Sequence, residues 1–213
     1  MLFRSFRECF YIVPDYQREY VWTDKEVQQL LDDIDEQIDG GNGREYFIGT
    51  IIVAPLSERN HSEVIDGQQR LTTFFLLLLA LRNLFRGERQ GQTIAGLIST
   101  SYTASDGNTQ TSLKLEPRYE NAGELMTKIV DMDSDPEATR TGILAAGIPC
   151  FGSLENIINA YGTLFRHLNS NYSDLADLRK YWGYVANNVV FIQISTDVSS
   201  ALKIFETINE RGI

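Results

Sequence analysis

Residues 62–85 read SEVIDGQQRLTTFFLLLLALRNLF, and they set Asp66, Gly67, Gln68, Gln69 and Arg70 between a short apolar stretch and a long one. A connection between two core elements needs only turn residues. This one carries a carboxylate, two amides and a guanidinium. With a strand ending at Ile65 or Asp66 and a helix beginning between Gln68 and Leu71, the chemistry open to the turn can be read. First-turn helical amides have no internal partners and carry partial positive charge, so they hold a phosphate group well. Gly67 removes the side chain that would block close approach. Arg70 can add a forked, charge-assisted contact to phosphate oxygens. Asp66 can hold Mg²⁺, which prefers carboxylate oxygen together with substrate phosphate, or it can orient water. Gln68 and Gln69 can orient water or read a base or a sugar. A purely structural account is also open, because Asp-Gly is a common turn and Asp66 can serve simply as a helix cap. The turn is not a G-x-x-x-x-G-K-[ST] loop.

Two more polar clusters have the same character. In YQREYVW, residues 16–22, Gln17, Arg18 and Glu19 stand among aromatics shortly after Pro14. Arg18 can bind phosphate while Tyr16, Tyr20 or Trp22 stacks on a base or flanks the guanidinium; equally, the aromatics can pack and Arg18 can pair with a carboxylate. In INERG, residues 208–212, Asn209, Glu210 and Arg211 follow an apolar helical face, with Gly212 as an alternative helix stop. The two histidines, His61 and His167, lack the spacing of a metal site or a triad, and surface roles are expected for both.

Positioning these groups falls to a recognisable series of elements. FYIV (10–13) reads as a strand broken by Pro14. Thr23 and Glu26 have capping-box spacing. Val27, Leu30, Leu31, Ile34 and Ile38 follow at helical spacing, opposite an acidic face of Asp32, Asp33, Asp35 and Glu36, up to Gly40-Gly41. YFIGTIIVA (46–54) is aromatic and β-branched and reads as a buried strand, with SEVID (62–66) as its hairpin partner. Residues 71–86 are apolar nearly all round, predicting a helix covered on most sides. GERQGQ and TASDGNTQT have loop composition, with TIAGLIS and SLKLEP as short strands or turns between and around them. Residues 119–131, 153–169 and 174–187 predict helices, DMDSDPEATR a polar connection, VVFIQIS (189–195) a last strand, and ALKIFETIN a final helix capped by Ser199 or Ser200.

The whole chain bounds what this machinery can serve. Its 213 residues, 43% hydrophobic and 23% charged, suit one large or two small globular domains. The formal charge of −10, from 19 basic and 29 acidic side chains, argues against a domain that simply coats DNA. Two distant cysteines, Cys9 and Cys150, without CxxC spacing make a disulfide scaffold or structural zinc unexpected and fit a reducing cytoplasm. No signal-peptide h-region is visible, and the apolar run from Phe74 to Leu81 is too short to cross a bilayer. The chain ends one residue after Gly212 with no cap or tail, from which a longer native protein is expected.

Taken in order, P-x-Y-Q-R-x-Y-x-W, Y-F-I-G-T-I-I, V-I-D-G-Q-Q-R-L-T-T and F-E-T-I-N-E-R-G resemble the N-terminal domain of GmrSD-type, modification-dependent restriction proteins, from Pro14 to Gly212. The resemblance implies an α+β fold: a ParB/sulfiredoxin-like α/β part with a small mixed sheet over residues 1–90, then a mainly helical part over 91–213 that closes with a strand and the INERG helix. It implies binding and hydrolysis of a nucleoside triphosphate with Mg²⁺. Asp66, Gln68, Gln69 and Arg70 would be catalytic, and Asp66 would also hold the metal. Gly67, Gln17, Arg18, Thr72, Asn209 and Arg211 would bind the nucleotide. It implies a cytoplasmic phage-defence protein that restricts modified DNA with an HNH-type nuclease domain or subunit downstream; this chain lacks the spacing for that nuclease chemistry. Oligomeric state stays open. Two other functions compete: a modified-DNA sensor that does not turn nucleotide over, and a partner-binding scaffold in a defence complex that docks through the acidic helix 24–39.

Overall fold

The computed structural model describes residues 6–41, 43–58, 60–103, 105–197 and 200. The expected final helix, with Asn209 and Arg211, lies outside the described residues, as does Ser199, one of its two expected caps.

A mixed sheet has the strand order β6-β1-β3-β2-β7. Its strands are β1 (Phe10–Val13), β2 (Tyr46–Pro55), β3 (His61–Asp66), β6 (Leu115–Pro117) and β7 (Val189–Ser195). β1 runs parallel to β3 and β6, β2 parallel to β7, and β2 with β3 forms the expected antiparallel hairpin. The class is α+β, and the sheet draws strands from both sides of residue 90. The ends of β1 and β3 therefore lie on one side of the sheet, and there the chain leaves β1 through residues 14–22 and leaves β3 through the Gly67 turn.

Helices pack around α2 (Gln68–Leu84), which begins at the early end of its expected range. Phe74 to Leu81 are all 0% exposed, as a helix without a polar face requires. At roughly 1.5–3 kcal/mol for each large apolar side chain removed from water, this helix is the centre of the core. α3 (Arg89–Ile98) and α6 (Gly152–Asn171) cover it. α1 (Asp24–Asp39) buries Val27, Leu30, Leu31 and Ile34, and Thr23 and Glu26 close its start as a capping box. α4 (Ala122–Met132), α5 (Pro136–Ala145) and α7 (Leu175–Asn188) complete the helical side.

Three expectations change. TIAGLIS is the body of α3 down to Ile98 rather than a short strand or turn, and the loop-like GERQGQ supplies its first turn from Arg89; Ile94, Leu97 and Ile98 are buried on one helical face. The loop-like TASDGNTQT closes a separate hairpin, β4 (Ser99–Thr103) with β5 (Thr109–Leu113), and its turn holds Gly107 at φ +82°. Within DMDSDPEATR, Asp135 caps α5 by accepting from the amides of Glu137 and Ala138 at 2.9 and 3.0 Å, with Pro136 at the first helical position. No helix among the described residues is long and apolar enough to cross a membrane.

Candidate functional site

The turn after β3 is shaped by its glycine. Gly67 has φ +87°, and a Cβ there would stand 2.6 Å from Ile51 Cγ2 and 3.1 Å from the Thr50 carbonyl oxygen. Only glycine gives both the left-handed backbone and the close approach to β2. It leaves the start of α2 without a side-chain cap, so the structural alternative for Asp66, a helix cap, is not used. Asp66 is half-buried, and no hydrogen bond or ion pair engages its carboxylate among the described residues.

Segment 16–22 lies across this turn as a strap, held by the two glutamines. Gln68 Nε2 donates to the Arg18 carbonyl at 2.6 Å. Gln69 Nε2 donates to the Glu19 carbonyl at 2.9 Å, and its Oε1 accepts from the amides of Val21 at 2.8 Å and Trp22 at 3.4 Å. Gln17 Nε2 donates to the Ile65 carbonyl at 3.0 Å, and the hydroxyls of Tyr20 and Thr73 share a buried bond of 2.8 Å. Two of the sequence clusters thus meet, and their amides join main chain to main chain. Arg18 is exposed above the turn, whereas Thr72 is buried, 4% exposed.

Arg70 projects from the first turn of α2 toward β2. Its Nη1 donates to the Thr50 carbonyl at 3.4 Å, the same oxygen that closes on Gly67, so the guanidinium lies beside the turn. Gly49 makes room for it: a Cβ at that residue, which has φ +116°, would stand 2.6 Å from Arg70 Nη1. The pairing of β2 with β7 shifts register between Phe47 and Thr50, and such bulges re-aim side chains beside functional sites. The long Thr50 contact is the guanidinium's one hydrogen bond, and no carboxylate pairs with it among the described residues.

The guanidinium opens into a cavity of ≈ 310 Å³ between α1, β2 and α2. Its apolar wall includes Trp22, Ile48 and Phe74. Lys25 joins Arg70 as a second cation, and Asp33 and Tyr46 line it from α1 and β2. Tyr46 Oη donates to Asp33 Oδ2 at 2.7 Å. Burial, then the bond to Asp33 and its charge, push the Tyr46 phenol up, and the Arg70 charge pulls it back. Glu26 lines it too, so two cations face two carboxylates, and size and lining suit a small organic ligand that carries both an anionic group and hydrogen-bond donors.

Sequence reasoning missed Lys25, Asp33, Tyr46 and Gly49 as parts of this site. Gly49 carried a signal, since a glycine inside a strand run marks a bulge or a close approach. The others carried none, because α1 presents Lys25 and Asp33, and the start of β2 presents Tyr46, across a gap that only tertiary packing creates. Among the described residues no group of three or more His, Cys, Asp and Glu side chains is arranged to hold a metal. Asp66 is the one carboxylate of the turn, which suits a Mg²⁺ ion coordinated mainly by phosphate and water and not one held in a protein cage.

Compared with curated proteins, the chain has no match. Against family models, residues 1–213 match the N-terminal domain of GmrSD restriction endonucleases, and the chain belongs to that family.

Proposed function

We propose that this GmrSD N-terminal domain binds a nucleoside triphosphate between the Gly67 turn and the α1–β2–α2 cavity, and hydrolyses it to regulate restriction of modified DNA by a nuclease part of the full-length protein. The observation that carries this reading is Arg70: a half-buried guanidinium with one long hydrogen bond and no carboxylate, directed into a cavity. A half-buried guanidinium with four of its five N–H donors unused among the described residues is completed by an anion, and a phosphate group offers oxygens in the matching geometry. Lys25 supplies further positive charge, and Trp22 supplies a face on which a base stacks. The uncapped amides of α2 add donors beside Arg70.

In hydrolysis, water adds to the terminal phosphorus, the bond to the bridging oxygen breaks, and nucleoside diphosphate and inorganic phosphate leave. Phosphoryl transfer of this kind depends on positioning and charge stabilisation. Arg70 neutralises charge on the phosphoryl oxygens, and Asp66 orients the water or holds Mg²⁺, which when bound would screen the phosphates. Gln68 and Gln69 fix the strap, setting Trp22 at the cavity and Arg18 above the turn. Asn209 and Arg211 belong to the proposal as contacts from the C-terminal segment. Modified DNA, a downstream HNH-type nuclease and a cytoplasmic setting are the partners and place this role requires.

Phosphate release from each of the four nucleoside triphosphates with Mg²⁺, compared among the native chain, Arg70→Ala and Asp66→Ala, is the test. Release by the native chain that both variants lose supports the reading. Salt-dependent DNA binding with no release for any nucleotide would assign a sensor without turnover instead.

A further inference from the structure

The cavity has a second pole. Asp33 is half-buried on α1, and its carboxylate accepts from Tyr46 Oη at 2.7 Å and from Gln29 Nε2 at 2.7 Å, with no Lys, Arg or His in ion-pair contact among the described residues. Both donors are neutral. A carboxylate offers about four lone-pair sites, so acceptor capacity remains. Tyr46 holds the carboxylate against the cavity wall, and its rigid ring fixes the direction of one oxygen. The cavity therefore joins a cation and an anion that make no ion pair among the described residues, Arg70 and Asp33, along an apolar wall of Trp22 and Phe74, with the exposed Lys25 and Glu26 also lining it. Two such charges in one fold that are not paired with each other are satisfied by a ligand that is anionic at one end and rich in hydrogen-bond donors at the other.

We infer that Asp33, oriented by Tyr46, is the selectivity determinant of this cavity, accepting hydrogen bonds from the donor-bearing end of the ligand while Arg70 holds its phosphates. The inference rests on the nucleotide reading of the same site and adds what that reading lacks, a group that distinguishes a nucleoside from bare polyphosphate. The donors are the vicinal hydroxyls of a ribose or the N–H edge of a base; both present the same chemistry to a carboxylate. The benefit of such recognition is asymmetric, because a ligand that lacks the donors leaves the remaining acceptor sites of the half-buried carboxylate unused and displaces their water.

Calorimetric titrations with Mg²⁺ and four probes test this: non-hydrolysable ribonucleoside triphosphates, their 2′-deoxy and 2′,3′-dideoxy counterparts, and inorganic tripolyphosphate. The proteins are the native chain, Asp33→Asn, Tyr46→Phe and Arg70→Ala, each first checked for a native thermal transition. Asp33→Asn is expected to weaken nucleotide binding by about tenfold or more while leaving tripolyphosphate unchanged, and Tyr46→Phe to weaken it less. Arg70→Ala is expected to lose binding of the nucleotides and of tripolyphosphate alike. If the native chain prefers ribose over its deoxy forms and Asp33→Asn erases that preference, the sugar is the donor. If the sugar makes no difference and the variant erases a preference among bases, the base is the donor. Native-like affinity and discrimination in both Asp33→Asn and Tyr46→Phe, with binding lost in Arg70→Ala, overturns the inference and leaves the nucleotide reading standing. No binding of any probe to the native chain overturns both.

Discussion

The two sides of α1 handle polar groups in opposite ways. On the side that meets α6 and the start of α7, the carboxylates of Asp24 and Asp35 find partners, and the exposed Arg166 reaches Thr163 Oγ1 at 3.4 Å. His167 and Asp35 join at 2.8 Å with side-chain exposures of 7% and 23%, Tyr172 Oη donates to Asp35 at 2.8 Å, and Thr163 Oγ1 donates to Asp24 at 2.8 Å. Gln28 Nε2 lies 3.3 Å from His167 Nδ1, so both ring nitrogens have a polar partner. On the side that meets β2 and α2, Arg70 and Asp33 face a shared cavity without ion pairs among the described residues. The same helix builds a closed seam and an open one. Closed seams fix the fold; an open one, held open by a glycine bulge at Gly49 and a strap anchored at Gln69, is arranged to be completed by something else. The closed seam has an exception, the fully buried hydroxyl of Tyr181, which has no hydrogen-bond partner among the described residues.

This contrast separates stability from binding, and substitutions should divide accordingly. The largest effect on stability is expected at the closed seam. Asp35→Ala strands the His167 ring and the Tyr172 hydroxyl and should reduce unfolding free energy by about 2–4 kcal/mol in denaturant titration. Arg70→Ala, at the open seam, should change stability by no more than about 0.5 kcal/mol. A large loss in Arg70→Ala would show that its charge is structurally engaged and would break the comparison. Gly49→Ala should cost about 1–3 kcal/mol through backbone strain at φ +116°, and it should also weaken nucleotide binding because the new methyl displaces the guanidinium. Gln69→Ala releases the strap at three hydrogen bonds and should cost about 1–2 kcal/mol, with faster proteolysis at residues 16–22 as the accompanying sign.

The smallest effect concerns alkaline pH. Burial, then the hydrogen bond to Asp35 and its charge, push the Tyr172 phenol well above its ordinary value. Because the folded state raises this pKa, the neutral phenol stabilises the fold fully below the unfolded value of about 10, and that contribution is lost as pH climbs through the folded value. Tyr172→Phe should therefore flatten the decline in stability between about pH 9 and about pH 11, measured by denaturant titration at both. An unchanged slope would show that Tyr172 does not carry the linkage.

Much of the frame was legible from local pattern. The strand–turn–helix around Gly67 followed from a β-branched run meeting an all-apolar helix. The start of α1 followed from Thr23 and Glu26. Asp135-Pro136 was equally legible as a helix start, but the surrounding polar residues masked it, and α3 was obscured by Gly91 and Gly96, which interrupt its pattern. The candidate site was half visible. Sequence order brought the strap and the turn to notice, and the structure joins them. What sequence could not assign is the direction of each polar group. An amide such as that of Gln69 reads the same whether it meets a ligand or the carbonyl of Glu19. The acidic residues of α1 looked like one solvated face, yet Asp35 closes on His167, which is buried in the α1–α6 seam where a surface role was expected, and Asp33 turns into the cavity. His61 likewise stacks on Phe10 at 4.7 Å between ring centroids. These outcomes depend on which neighbours the helices meet, and no local pattern encodes that.

The most direct measurement is a calorimetric titration of the chain with a non-hydrolysable nucleoside triphosphate and Mg²⁺, run beside Arg70→Ala. Saturable binding by the native chain that falls at least about a hundredfold in the variant, equivalent to about 2.7 kcal/mol, is the predicted result. Equal affinity in the two proteins, or no heat from the native chain with any of the four nucleotides, would contradict it.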